Sequence, residues 1–359
     1  MYMYQVSLDE RSYPIYISTD GFNPLGSVLK ASKQDYTHIL IVSDENVASL
    51  YLQAVASSLS SAGFSIDTFI IPPGEQSKSL EMADKIYEKA LEIPLDRKSA
   101  VLALGGGVVG DLAGFIAATY MRGISFLQAP ASLLAQVDSS VGGKVAVNHP
   151  LGKNTIGAFH QPNMVYIAAD CLLSLPHREF ISGIAEVVKY GIILDRTFFE
   201  WLEEYIDSGH HLHLDSLVHI IKTSCQIKAQ IISQDEKEEN LRAILNYGHT
   251  VGHAIETVTD FSRYTHGEGI AIGMVYEAKI SSALGLMPSS SVSRIARLLQ
   301  KIGLPIKIEG LDPELLLQYM MRDKKNIGGK LVFVLPDRIG HVRIFKDVDI
   351  NLVREVLNE

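Results

Sequence analysis

The residues with the clearest chemical potential lie near position 250, where polar side chains recur within a largely apolar segment. If the segment is a helix with about 100° between residues, they form a stripe about 80° wide, and the members of this stripe are Arg242, Asn246, His249, His253 and Glu256. Two histidines four residues apart are able to bind one divalent metal ion. The alternative interpretation is a solvated polar helix face.

A second group of candidates lies in two further segments. Glu186 and Lys189 interrupt the otherwise apolar run 181–194, and a buried charge is costly unless it is paired or coordinated. The pair is therefore either a structural ion pair or a metal ligand beside a substrate contact. His266, flanked by glycine in Tyr-Thr-His-Gly-Glu-Gly, is another potential metal ligand.

Three glycine-rich segments are suited to binding anions. The segment 105–111, Gly-Gly-Gly-Val-Val-Gly-Asp, follows an apolar strand and satisfies the G-x-G-x-x-G pattern of a dinucleotide site. An acidic residue for the ribose is missing at the usual spacing, so Asp44, at the end of another strand, is the candidate for that contact. Lysines follow glycines at 142–144 and 152–153 without the Walker A spacing. A tight turn or a solvated loop without a ligand is the alternative for each segment.

The elements that position these residues change character along the chain. Apolar runs at 37–43, 65–71 and 100–104 alternate with a helical pattern at 79–92, which predicts a parallel sheet with crossover helices. Helical patterns dominate the second half, at 215–234, 242–257 and 291–302, before a strand at 331–335. We therefore predict an α/β nucleotide-binding domain at 1–176 and a mostly α domain at 177–359. Gly248 and Gly252 inside the helical pattern indicate close backbone approach.

Composition excludes several classes of protein. The 359 residues carry a formal net charge of −9, which argues against nucleic-acid binding, so anionic ligands must meet a local cluster of cations. Cys171 and Cys225 cannot form a disulfide framework and fit a reducing compartment. No signal peptide or membrane span is recognisable. We expect a cytoplasmic protein that contacts neither nucleic acid nor membrane.

Long motifs in a fixed order make the chain similar to the 3-dehydroquinate synthase family of sugar phosphate cyclases. The likeness extends over essentially the whole chain, and these segments carry it: 73–78, 105–111, 133–144, 152–154, 185–189 and 245–256. It implies a dehydroquinate synthase-like fold, NAD, a divalent metal that is zinc or else cobalt, and a homodimer. The implied substrate is a sugar acid phosphate, 3-deoxy-D-arabino-heptulosonate 7-phosphate.

The resemblance also assigns residues. It implies metal binding by Glu186, His249 and His266, and it places His253 against the substrate. NAD contacts are expected from Asp44, Glu75, Lys78, Gly106, Gly107, Asp111, Ser132 and Lys153. Substrate contacts and catalysis are expected from Asp138, Lys144, Asn154, Lys189, Lys228, Arg242, Asn246 and His253. Arg122 is expected to reach across the dimer interface, and Lys324 or Lys325 to close over the phosphate.

One departure from the family pattern concerns the NAD site. Family members carry threonine after the proline of a Pro-Thr-x-Leu-Leu pattern, whereas Ala131 and Ser132 follow Pro130 here. We expect this change to affect NAD affinity more than the type of reaction.

The implied reaction includes a transient oxidation but no net redox change. Transient oxidation at C5 acidifies the C6 proton, phosphate is eliminated, C5 is reduced again, and an aldol step closes the ring. Three alternatives remain: a net alcohol dehydrogenase related to glycerol dehydrogenase, a cyclase acting on sedoheptulose 7-phosphate, and a catalytically silent nucleotide-binding regulator.

Overall fold

The structure is a computed structural model that describes residues 1–209, 213–238, 240–260, 262–322 and 331–359. Contacts divide the chain into two compact units, one made of Met1–Leu175 with Leu214–Glu236 and the other of Pro176–His213 with Lys237–Glu359. Across these described ranges, every helix falls short of the length and apolar character needed to cross a membrane.

The first unit is built on a seven-stranded sheet in the order β1-β2-β9-β6-β5-β3-β4. All neighbouring pairs are parallel except β1 and β2, as expected for strands joined by crossover connections. The strands are β1 (Tyr2–Val6), β2 (Tyr13–Ser18), β3 (Ile39–Asp44), β4 (Ile66–Ile71), β5 (Ala100–Gly105), β6 (Ser125–Pro130) and β9 (Met164–Ala168). This confirms the predicted α/β fold.

Helices cover both faces of this sheet, which explains why its central strands read as unbroken apolar runs. Along β3, Leu40 and Val42 enter one core, while Ile39 and Ile41 enter the other, because successive side chains point to opposite faces. The helices of this unit are α1 (Leu25–Ala31), α2 (Glu45–Val47), α3 (Gln53–Ser61), α4 (Leu80–Glu92), α5 (Gly107–Thr119) and α8 (Leu214–Gln234).

Helix α8 groups with the first unit, whereas the sequence analysis places its segment in a domain at 177–359. The reason is a set of contacts with 135–139: Cys225 Sγ lies 3.3 Å from the Gln136 carbonyl oxygen, and Lys228 Nζ lies 2.8 Å from Asp138 Oδ1. Side-chain contacts of this kind cannot be read from helical periodicity.

An antiparallel hairpin lies outside the main sheet and carries several predicted site residues. It consists of β7 (Lys144–His149) and β8 (Gly152–Phe159). Gly157 lies against β7, since a Cβ there would be 2.2 Å from the Val145 carbonyl oxygen. The hairpin therefore places Lys144 at the start of one strand, and Lys153 and Asn154 in the other.

The second unit is mostly helical, as predicted. Its helices are α6 (His177–Ile193), α7 (Arg196–Ser208), α9 (His249–Val258), α10 (His266–Ala283), α11 (Ser289–Ile302), α12 (Pro313–Arg322) and α13 (Ile350–Leu357), with a hairpin of β10 (Val332–Arg338) and β11 (His341–Lys346). Val251, Ile255, Ile272 and Phe333 share one hydrophobic core. Helix α10 is buried on nearly every side, which accounts for its apolar character all round.

The predicted continuous helix 242–257 is wrong. Residues Leu241–Asn246 form a 3₁₀ segment, Tyr247 and Gly248 form a turn, and α9 begins only at His249. The break occurs at Gly248, whose φ of +81° is readily available only to glycine. Gly252 does lie inside α9, where a Cβ would meet the Gly269 carbonyl oxygen at 3.0 Å, which explains its small size.

Candidate functional site

Three helices of the second unit bring one carboxylate and two imidazoles together. Glu186 comes from the middle of α6, His249 is the first residue of α9, and His266 is the first residue of α10. The Nε2 atoms of His249 and His266 lie 3.5 and 3.4 Å from Glu186 Oε1. The three residues thus present potential ligand atoms toward a common point.

This arrangement fits a divalent metal ion. Zinc favours imidazole nitrogen and carboxylate oxygen ligands, and tetrahedral bonds of about 2.0–2.1 Å put neighbouring ligand atoms about 3.4 Å apart, close to the two separations observed. Glu186 is fully buried, and its Oε1, the atom that both histidines approach, has no hydrogen-bond partner among the described residues. A buried carboxylate of this kind requires a compensating cation.

Lys189 supplies part of that compensation. Its ammonium group contacts Glu186 Oε2 one turn along α6, and both side chains are almost completely buried. The structural ion pair and the metal ligand, which the sequence leaves as alternatives, are therefore compatible, because Lys189 contacts one carboxylate oxygen while the histidines approach the other.

His249 and His253 fall in different groups. Their rings lie edge to face with centroids 5.2 Å apart. His249 joins Glu186 and His266, whereas His253 forms a second compact group with Glu256 and His266. The sequence-based idea that His249 and His253 together hold one ion is therefore not what the geometry favours.

The electrostatics at His266 favour positive charge. Burial disfavours the imidazolium, but Glu256 and Glu186 outweigh burial and raise the pKa of His266 to about 10. Glu256 Oε1 lies 3.2 Å from Nδ1, on the side of the ring opposite the contact with Glu186. Two carboxylates therefore demand a cation here, and either a proton or a metal ion satisfies them.

Glycines allow the helices that carry these residues to pack closely. A Cβ at Gly267 would lie 1.9 Å from the Ser182 carbonyl oxygen of α6, and a Cβ at Gly273 would lie equally close to the Gly248 carbonyl oxygen. Glu277 then accepts hydrogen bonds from the backbone N–H groups of Gly248 and Thr250, at 2.7 and 3.1 Å. These contacts fix the start of α9, where His249 lies.

Two predicted substrate residues lie just before α9. Arg242 is almost completely buried in the 3₁₀ segment, and Asn246 Nδ2 donates to Glu238 Oε1 at 2.8 Å. Neither is on the same helix as His249, contrary to the stripe interpretation, because Gly248 interrupts the helix.

In the first unit, a polar network joins predicted NAD and substrate residues. The buried Lys78 ammonium pairs with Asp111 and donates to Asn154 Oδ1 at 2.5 Å. Asn154 adopts a left-handed φ of +55°, uncommon for a residue other than glycine. The structure thus brings together three residues that lie 33 and 76 positions apart in sequence.

Asn148 links this network to Glu75, and the sequence analysis missed it. Its side-chain Nδ2 donates to Glu75 Oε1 at 2.8 Å, while its Oδ1 accepts from the Asn154 backbone N–H at 3.0 Å. Its own backbone N–H donates to the Lys78 carbonyl oxygen at 2.8 Å. Lys153 Nζ also approaches Glu75 Oε1, at 3.5 Å. Proximity to Lys144 in the sequence was the only available signal for Asn148.

The glycine-rich turn lies at the carboxyl end of β5. Gly106 precedes α5 and Gly107 begins it, so backbone N–H groups are available at a helix N-terminus for an anion. A Cβ at Gly106 would lie 3.5 Å from Ser132 Oγ, which places this predicted NAD residue beside the turn. Asp44 ends β3, where its carboxylate caps α2 by accepting from Asn46 and Val47.

The remaining predicted residues occupy separate places. Lys228 donates to both the carbonyl oxygen and Oδ1 of Asp138, at 2.6 and 2.8 Å. Lys144 is exposed at the start of β7, and Arg122 is exposed with a φ of +68°. Lys324 and Lys325 lie outside the described residues.

Comparisons with known proteins identify the family of this chain. Residues 68–182 match the family model "3-dehydroquinate synthase N-terminal", and residues 183–326 match "3-dehydroquinate synthase C-terminal". The 3-dehydroquinate synthase of Desulforamulus reducens is 51% identical over 345 residues, which cover 96% of each chain. The chain belongs to the 3-dehydroquinate synthase family.

Solved structures related to this family share the fold. A 2-deoxy-scyllo-inosose synthase, solved with carbaglucose-6-phosphate, NAD⁺ and Co²⁺, superposes with a TM-score of 0.90 at 28% identity and 99% coverage of both chains. The 2-epi-5-epi-valiolone synthase of Streptomyces hygroscopicus, solved with NAD⁺ and Zn²⁺, gives a TM-score of 0.87 at 23% identity, covering 98% of this chain and 97% of the other. At that identity, the second likeness supports the fold alone.

Proposed function

We propose that this chain is a 3-dehydroquinate synthase that converts 3-deoxy-D-arabino-heptulosonate 7-phosphate into 3-dehydroquinate and phosphate, using NAD and a divalent metal. The observation that carries the proposal is the compact group of Glu186, His249 and His266 in a chain of this family. As a phosphate-eliminating cyclase, the enzyme is a carbon–oxygen lyase of the shikimate pathway.

Glu186, His249 and His266 would hold the metal, with zinc or cobalt as the expected ion. A bound divalent ion would act as a Lewis acid toward the substrate hydroxyls. Lys189, which pairs with Glu186, would bind an anionic or hydroxyl group of the substrate. His253, whose ring lies close to those of both metal-binding histidines, would contact the substrate.

The NAD residues are those assigned from the family resemblance, and the network around Lys78, Asp111 and Glu75 supports their grouping. When bound, NAD would supply the hydride acceptor at C5 and return the hydride later. The substrate carries a carboxylate and a phosphate, and cationic side chains would bind these two groups although the chain is acidic overall. The cationic residues assigned to this role are Lys144, Lys189, Lys228 and Arg242.

The decisive experiment follows phosphate release and NADH absorbance together in the purified protein with NAD, Zn²⁺ or Co²⁺ and the heptulosonate phosphate. Phosphate release without accumulating NADH supports the proposal. Steady growth of NADH in step with turnover would establish a net dehydrogenase instead. Turnover of sedoheptulose 7-phosphate in preference would establish a different cyclase, and binding of NAD and metal without any turnover would establish a silent regulator.

The metal assignment has its own test. His249→Gln and His266→Gln are expected to lose tightly bound zinc, measured by mass spectrometry of the dialysed protein. His341→Gln is the matched control, because His341, the first residue of β11, pairs with Asp337 of β10 and belongs to neither candidate group. Full metal content in the His249 and His266 variants would refute the assignment.

The proposed homodimer with Arg122 acting in the partner's site predicts complementation. Arg122→Ala and Lys189→Ala would each be nearly inactive alone. If each site of a two-fold dimer takes Arg122 from the partner, random re-association of the two variants restores activity to about a quarter of the sites. Absence of recovery in mixed dimers, detected by native mass spectrometry, would show that Arg122 does not act in trans.

A further inference from the structure

Glu256 is a buried carboxylate that the family resemblance does not assign to any role. It lies in the last turns of α9 with 4% of its surface exposed. Its Oε1 is 3.2 Å from His266 Nδ1, while the opposite ring nitrogen, Nε2, is 3.4 Å from Glu186 Oε1. His266 is therefore held between two carboxylates, one at each nitrogen.

The two ring nitrogens of a neutral imidazole differ in function, because one carries a proton and donates a hydrogen bond, whereas the other carries the lone pair that can bind a metal ion. A carboxylate at Nδ1 accepts a hydrogen bond from Nδ1–H, so the proton stays on Nδ1 and the Nε2 lone pair is directed at Glu186. We propose that Glu256 is a positioning residue that orients His266 for metal binding through Nε2. This inference rests on the metal assignment of the proposed function.

A competing role is direct ligation, since His253, Glu256 and His266 also form a compact group. The hydrogen bonds of the two glutamates distinguish these roles. Glu186 Oε2 is already paired with Lys189, but Oε1, the atom that both histidines approach, is buried without a hydrogen-bond partner among the described residues, whereas Glu256 has a partner in His266. The carboxylate oxygen that still needs a cation is therefore Glu186 Oε1, and Glu256 contacts the ring that faces it.

Partners of this kind influence metal affinity by about 10–100-fold. The test is a Co²⁺ titration of the metal-free full-length chain, followed by the visible absorption of the bound ion. Glu256→Gln keeps an oxygen that accepts from Nδ1–H but removes the charge, and we expect its Kd to rise about 10-fold. Glu256→Ala removes both, and we expect a rise near the upper end of about 100-fold.

Glu203→Gln is the matched control, because Glu203 of α7 pairs with Arg294 of α11 and belongs to neither candidate metal group. We expect wild-type Co²⁺ affinity in this variant. The melting temperature of each metal-free variant is measured in parallel, and the ordering Gln between wild type and Ala must persist in variants that remain folded. A general loss of folding would not produce that ordering together with an altered Co²⁺ spectrum.

The outcomes separate this inference from the assignment on which it rests. If Glu186→Gln and His249→Gln lose Co²⁺ binding while Glu256→Gln and Glu256→Ala keep the wild-type Kd and spectrum, only the inference is overturned. If Glu256→Gln and His253→Gln abolish binding as completely as Glu186→Gln does, Glu256 is a ligand and the positioning role is wrong. If Glu186→Gln and His249→Gln retain full affinity, the metal assignment itself fails.

Discussion

Gly267→Ala is a small change that should separate two of the proposed metal ligands. Gly267 follows His266 on α10 and packs on α6, whose Glu186 faces His266. The Gly267 backbone N–H donates to Ser182 Oγ at 3.1 Å, which keeps the helices in close contact. A methyl group at this position would project directly at the backbone of α6.

The magnitude follows from the clearance. The added Cβ would lie 1.9 Å from the Ser182 carbonyl oxygen and 2.6 Å from its carbonyl carbon. Relief of that overlap to even 3.0 Å, a separation below which real Cβ atoms are essentially never found, requires a shift of roughly 1 Å, and helix backbone cannot rotate aside like a side chain. Misplacement by about 1 Å costs on the order of 100-fold in catalytic rate in a site that needs accuracy near 0.5 Å, and the altered ligand spacing should also weaken metal binding. Overpacking adds about 1–3 kcal/mol of destabilisation.

The assay is Co²⁺ affinity of the metal-free protein, with turnover measured at saturating metal. Gly269→Ala, two residues along α10, is the control because its Cβ would meet its nearest atoms at an ordinary 3.4 Å. We expect it to bind Co²⁺ as the wild type does and to gain up to about 1 kcal/mol of helix stability. Wild-type metal affinity in a folded Gly267→Ala variant would refute the reasoning that close helix contact sets the ligand spacing.

Two further predictions concern polar contacts. Asn148→Asp keeps an acceptor for Asn154 but places a carboxylate against Glu75 where a donor stood, so we expect NAD affinity, measured by calorimetry, to fall about 10-fold; an unchanged affinity would contradict the proposed role of Glu75. Burial alone would raise the pKa of Glu268, but Arg178 and the capping contact at Thr265 lower the pKa below its usual value. The ion pair between Glu268 and Arg178 therefore stabilises the fold at pH values above the pKa of the unfolded chain. That stabilisation is lost as the pH falls through the lower pKa of the folded state. The stability difference between wild type and Glu268→Gln in urea should therefore shrink below about pH 4.5, and a constant difference down to pH 3 would contradict the sign.

The sequence predicts most of the first unit because its signals are local. Uninterrupted apolar runs become strands buried on both faces, and β3, β4 and β5 lie within two residues of their predicted bounds. The burial of Glu186 and Lys189 is also predictable, since two charges inside an apolar helical run have no exposed face to occupy. Their pairing follows from the spacing of three residues.

The remaining features depend on contacts between distant segments. The helical pattern at 242–257 continues through Gly248. In the structure, however, Gly273 of α10 approaches the Gly248 backbone so closely that the chain turns at Gly248, which has a left-handed conformation. The assignment of α8 to the first unit depends on Lys228 and Asp138, which lie 90 residues apart. The same holds for Asn148, whose contacts with Glu75 emerge only once the hairpin has folded.

The charge around the proposed metal group would allow an acidic chain to bind a substrate with two anionic groups. Glu186 and Glu256 contribute two negative charges and Lys189 one positive charge, which leaves the group negative by one when the imidazoles are neutral. This imbalance is the reason that the pKa of His266 rises to about 10. A divalent ion in place of that proton reverses the sign to one net positive charge. The carboxylates thus select the cation, and the cation together with Lys189 favours an anion, although the whole chain carries a net charge of −9.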